Sequence, residues 1–153
     1  MQVYRVLTIR QPWATAIMLG LKTWELRGWS PGRFPKPFLV HAANTPYAEV
    51  YTALQREPEL AAALAEQTYD TPSTFPRQMI LGAVAVRDVV VRHPGALWLD
   101  RSFTAQIPGY WAAPTAKYAW ELCAPRHLTI PIGPIKGHLG FWEFIATNSL
   151  TFS

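Results

Sequence analysis

A chain of 153 residues, half of them hydrophobic and 16% charged, is long enough to bury one substantial core and too apolar to be disordered. Its formal net charge of +4 permits nucleic acid as a partner without demanding it. One cysteine, Cys123, excludes an internal disulfide and points to a reducing, cytoplasmic setting. With four scattered His it offers no zinc-ligand spacing, no leader opens the chain, and no apolar run is long enough to span a bilayer.

In chain order, Val3 to Ile9 is rich in β-branched and apolar residues and predicts a first strand. Pro12 suits the start of a short helix carrying Trp13, Ala16 and Ile17, and Gly20 suits its end. The period then changes to two, with Trp24, Leu26 and Gly28 on one side of a strand and Glu25, Arg27 and Trp29 on the other. Ser30 to Pro37 is a turn-rich connection, and Phe38 to His41 a short central strand. Asn44 or Thr45 before Pro46 predicts a helix start, with Tyr47, Val50, Tyr51 and Leu54 at helical spacing. Pro58 should break that helix, and Glu59 to Glu66 resumes as a second one rich in Ala. Met79 to Arg92 is the strongest strand signal, and Gly82 marks a bulge or bend. Residues 93–115 form a long irregular segment, of the kind that is usually functional or mobile. Lys117 to Leu122 and Leu139 to Ile145 read as closing strands, linked by the Pro-punctuated stretch Leu128 to Ile135. No repeat or boundary divides the chain, so residues 1–153 read as one α+β domain, a partly open β-barrel flanked by short helices.

Two features of composition suggest a flat, polar ligand. Of the seven Trp and six Tyr, most would be core, and two or three would line a site as stacking platforms. Ten of the fourteen basic residues are Arg, which suits planar contact with phosphates and bases; a GC-rich genome would give the same bias. Lys22 leaves the turn before the second strand, from which its long side chain can reach over that strand's polar face. Lys22, Glu25 and Arg27 would then converge above one pocket, with Trp13 or Trp29 as a wall. Spacing alone favours a plain surface ion pair of Lys22 and Glu25 at the strand start.

The run Gln11-Pro12-Trp13-Ala14, followed by Gly20-x-Lys22-x-x-Glu25-x-Arg27 and Trp29, closely resembles the ASCH family, whose fold is similar to the PUA domain. Leu39-Val-His41-Ala42-Ala43, Tyr118-Ala-Trp120-Glu-Leu122 and Lys136-Gly137-His-Leu-Gly140-Phe-Trp142 fit the same pattern. The resemblance implies a PUA-like fold and, from the family's amidohydrolases, a catalytic role for Lys22. Those relatives place a hydroxyl nucleophile where this chain has Glu25, so Glu25 would act instead as a general base on water. Arg27 would orient Glu25, a ribose oxygen or a phosphate. His41 is either a satisfied core residue or a pocket residue, and Tyr118 would join the pocket beside the long segment. A second carboxylate would come from Glu121 or Glu143. Cys123 has little to support it as a nucleophile. Arg87, Arg92, Arg101, Lys117 and Arg126 would form a basic rim or simply scattered surface charge.

Two functions follow. One is a small hydrolase without metal or cofactor, cleaving an acyl group from the exocyclic amine of an N4-acylated cytosine or its nucleoside. The other is a PUA-like module that binds RNA or a modified nucleoside without turnover. A ribonuclease is a weaker third, since no His pair suited to phosphoester chemistry is evident.

Overall fold

A computed structural model of the chain describes residues 1–33, 35–92, 103, 104 and 106–153. Among them six strands, β1 (Gln2–Ile9), β2 (Trp24–Arg27), β3 (Phe38–Ala42), β4 (Ile80–Val91), β5 (Tyr118–Ile132) and β6 (Phe141–Ala146), form one sheet ordered β2-β5-β4-β3-β1-β6. Only β1 and β3 pair in parallel; the other ladders are antiparallel. Between the strands run α1 (Trp13–Met18), α2 (Tyr47–Arg56) and α3 (Pro58–Glu66), with one-turn 3₁₀ helices at Pro72–Thr74 and Tyr110–Ala112. No described helix is long and apolar enough to cross a membrane.

The sheet curls until its two edges meet through side chains rather than backbone. Trp29, just beyond β2, sets its ring edge-on to Phe141 of β6 at 5.2 Å, and Trp120 stacks on Phe141 at 5.8 Å. Arg27 on β2 donates to the Thr8 carbonyl of β1 at 3.2 Å. The result is the partly open, PUA-like α+β barrel that the sequence implied, with a seam between β2 and the β1–β6 edge.

Leu7, Ile9, Ile17, Phe38, Val40 and Trp120 fill the barrel. Burying one such side chain contributes roughly 1.5–3 kcal/mol, so this cluster accounts for much of the driving force. Val50, Leu60, Leu64 and Phe75 seat α2 and α3 against Ala16 of α1. Ile107 and Phe103 cover the outer face of β2 and β5 at Leu26 and Ala119.

Most boundaries follow the local rules. Pro58 separates α2 from α3 and becomes the first residue of α3, where its missing N–H costs nothing. Gln11 is buried and holds α1 in place: its side-chain carbonyl accepts the Thr15 amide at 3.0 Å while its amide nitrogen donates to Thr15 Oγ1 and Pro76 O, each at 2.8 Å. The β4–β5 and β3–β4 registers both shift beside Gly82. A Cβ there would lie 2.3 Å from the Arg126 carbonyl and 2.4 Å from Met18 Cε. Gly82→Ala is therefore expected to destabilise the fold by about 1–3 kcal/mol, read as a lower Tm with unchanged cleft residues.

One expectation needs correction. The stretch 128–135 is not a separate linker, because β5 runs without a break to Ile132. Register shifts let it pass Pro125 and Pro131, and its far half finds new partners: Ile132 faces Ile80, and Leu128 bridges Phe152 near the C-terminus. Of the irregular segment 93–115, residues 93–102 and 105 lie outside the described residues, as does residue 34 in the turn-rich connection.

Candidate functional site at the open seam

The seam opens into a cleft of about 680 Å³, lined by the end of β1 (Thr8 to Arg10), by Trp13, by Glu25 to Trp29, and by His138 to Gly140 before β6. The alternation expected for β2 places its side chains. Glu25 stands opposite Trp120 and Arg27 opposite Tyr118 in the β2–β5 ladder, so all four share the inner face.

Glu25 is only 7% exposed. Its Oε2 lies 3.5 Å from Arg27 Nη2 as a loose ion pair and, among the described residues, has no hydrogen-bond partner. Trp120, directly across the ladder, likewise keeps its indole N–H without a partner among the described residues. A buried acceptor and a buried donor without partners on one sheet face are costly, at about 1–3 kcal/mol each, and call for an explanation.

Lys22 is 5% exposed. Its Nζ donates to the Pro108 carbonyl at 2.7 Å and lies 5.7 Å from the centre of the Trp13 ring. Lys22 does not share the lining of the seam cleft with Glu25, as the sequence suggested, but lines a neighbouring recess of about 280 Å³ with Thr23, Arg87 and Glu121. Burial pushes its ammonium below the usual lysine range, while the charges of Glu25 and then Glu57 partly hold it up and Arg27 adds to the lowering. The carboxylates acting on Lys22 are thus Glu25 and Glu57. Glu121 instead pairs with Arg87 at 3.9 Å, and Glu143 is exposed on β6 opposite Arg5.

Glu57 was not foreseen, since its partners lie more than fifty residues away. From the α2–α3 junction its Oε1 accepts the Gly109 amide at 2.7 Å and the Trp111 indole N–H at 3.0 Å. Arg56 stacks its guanidinium over Trp111 at 4.0 Å. These contacts clamp the 107–111 segment over Trp13 and Lys22, with Trp111 edge-on to Trp13 at 6.1 Å.

Trp13, Arg27 and Trp29 line the cleft beside Glu25. Two other candidates do not. His41 is fully buried in β3, with Nε2 donating to the Ile135 carbonyl at 2.7 Å and Nδ1 3.1 Å from Thr8 Oγ1. Thr8 Oγ1 also accepts the Trp142 indole N–H at 2.9 Å, so its own hydroxyl proton goes to Nδ1 and the neutral ring is satisfied on both sides. Tyr118 packs into the barrel core, because its place opposite Arg27 turns it toward the stacked aromatics. The supposed basic rim also disperses. Arg92 donates to the Ala116 and Thr115 carbonyls, and Arg126 covers Phe152. Arg101 lies outside the described residues. No group of three His, Cys, Asp or Glu able to hold a metal occurs among the described residues.

Burial drives the His41 imidazole below its ordinary value of 6.5, and His138 adds to the lowering against the Ile135 hydrogen bond. The unfolded chain therefore binds this proton more readily than the folded one. Its stability contribution is complete above about pH 6.5 and falls as pH drops toward the lower folded value. Urea midpoints should fall between about pH 7.5 and pH 5.5, and His41→Asn should flatten that dependence whatever its own stability.

The chain thus folds as a partly open six-stranded α+β barrel whose seam cleft holds a buried carboxylate beside two indole walls. The model of the family described as ASCH domain matches residues 7–131; the chain belongs to the ASCH domain family. Human "Activating signal cointegrator 1" is 23% identical over 137 residues, which are 90% of this chain. The match covers 22% of that protein's length. A crystal structure of a mutant of ZmASCH from Zymomonas mobilis is similar at a TM-score of 0.48 and 16% identity, covering 85% of this chain and 73% of that one.

Proposed function

We propose that the seam cleft takes a cytosine-type base and that Glu25 and Lys22 hydrolyse an acyl group from its exocyclic nitrogen. The observation that carries this reading is the Glu25 carboxylate, which lines the cleft with Trp13 and Trp29 and has an oxygen without a partner among the described residues. An attacking water or an amino edge of a base supplies the missing donor. Trp13 and Trp29 supply apolar faces for a flat ring.

In the proposed step Glu25 takes a proton from water as its oxygen bonds to the acyl carbon, and the carbonyl electron pair moves onto oxygen. The Lys22 ammonium, one of whose three N–H groups already serves Pro108, stabilises that oxyanion. On collapse the C–N bond breaks and Glu25 returns its proton to the leaving nitrogen. Amide and water become carboxylic acid and amine, with nothing left over. The same burial that lowers the Lys22 ammonium brings it nearer to donating a proton itself. Because a carboxylate stands where the related hydrolases carry a hydroxyl, direct attack by water replaces a covalent intermediate.

Incubation with N4-acetylcytidine tests this directly, by released acetate and by the ultraviolet change on deacylation. The expected result is turnover by the wild-type chain. A binding module for RNA or a modified nucleoside is the second reading, and it draws on the Pro108 carbonyl that already satisfies Lys22. No turnover together with salt-dependent RNA binding would select it.

A further inference from the structure

Past His138 the cleft continues into a second recess of about 620 Å³, lined by Thr8, Ala43, Asn44, Gln78 and the loop Lys136 to Leu139. Thr8, Ala43, His138 and Leu139 belong to both spaces, so a ligand seated at Glu25 can extend directly into this recess. Among the described residues its lining contains no carboxylate. Other cations nearby are engaged: Arg10 pairs with Glu49, Arg77 donates to Tyr47 and stacks on its ring, and Arg27 serves Thr8 and Glu25. Lys136 is exposed, and among the described residues it has no ion-pair partner.

The loop that carries Lys136 and His138 is held down. A Cβ on Gly137 would fall 2.6 Å from Thr8 Oγ1 and 3.1 Å from His41 Cε1, so only glycine permits this approach of loop to sheet. On one side the Ile135 carbonyl accepts from His41, and on the other the His138 ring meets Trp142 edge-on at 5.2 Å. The buried His41–Thr8–Trp142 chain thus fixes the backbone from which Lys136 and His138 project. The amides of Asn44 and Gln78 add hydrogen-bonding capacity to the same lining.

We propose that this recess is a phosphate subsite, so that the ligand of the seam cleft is a nucleotide or a nucleic-acid strand rather than a free nucleoside. The inference rests on the base-binding reading of the cleft. Lys136 supplies the charge, His138 and the two amides supply directed contacts, and no carboxylate among the described lining residues opposes an anion.

Calorimetric titration with cytidine, cytidine 5′-monophosphate and a short cytidine-containing oligoribonucleotide tests it. The monophosphate is expected to bind about tenfold or more tightly than cytidine, an advantage that shrinks in high salt. In Lys136→Ala the ratio of the two affinities should fall to near one, whereas Arg87→Ala, which removes equal charge elsewhere, should keep it. A monophosphate that matches the oligonucleotide assigns a terminal phosphate, and a stronger oligonucleotide assigns a phosphodiester. Either fulfils the proposal. Equal binding of cytidine and its monophosphate by the wild-type chain would overturn it, as would a ratio unchanged by Lys136→Ala. Ribose 5-phosphate separates this failure from failure of the base site. If cytidine does not bind but ribose 5-phosphate still shifts the His138 resonances, the anion subsite stands and the base assignment falls.

Discussion

Glu25→Gln should lower kcat/KM for N4-acetylcytidine by about 10²–10⁴-fold while leaving the fold in place. Glutamine has nearly the same volume and can still meet Arg27 Nη2, which lies 3.5 Å from the native carboxylate. What it cannot do is take a proton from water. Folding should change little, because removing a buried charge relieves desolvation about as much as the loss of a loose ion pair costs. Thermal unfolding and steady-state kinetics on the same preparation check both halves. A variant that keeps more than about a tenth of wild-type activity would remove Glu25 from the role of base.

Lys22→Met should cost about 10²–10³-fold in kcat, with a smaller change in KM, because the ammonium is assigned to charge that develops after binding. Methionine fills the space beside Trp13 but leaves the Pro108 carbonyl without the donor it has at 2.7 Å. That loss of about 1 kcal/mol is offset by relief of the burial that now depresses the lysine. Near-native stability with collapsed turnover is the expected pair of results. Near-native turnover would mean that the amine only tethers the 107–111 segment.

The parts of this site that were legible in the sequence are those fixed within one element. The two-residue period of β2 put Glu25 and Arg27 on one face, and the Trp–Lys–Glu–Arg spacing carried the family resemblance. Pro58 and Gly82 each acted through backbone constraints that depend on immediate neighbours. What could not be read depends on distant pairing. His41 looked as ready for a pocket as for a core until Thr8, Ile135 and Trp142 closed around it. Tyr118, expected in the pocket, shares a face with Glu25 but packs, partly buried, against the core. Glu57 meets Gly109 and Trp111 through a contact that no local pattern encodes. The Lys136-Gly137-His138 motif was visible, but the recess it borders exists only once that loop lies against β1 and β3.

The most direct measurement of where the ligand sits is a titration of cytidine, the expected product, into uniformly ¹⁵N-labelled protein. The account predicts that the Trp13 and Trp29 indole signals move saturably and together, and that Glu25→Gln weakens the response. Shifts confined to residues of the apolar groove between Leu128 and Thr151, a separate space of about 490 Å³, with Trp13 and Trp29 unmoved, would contradict it.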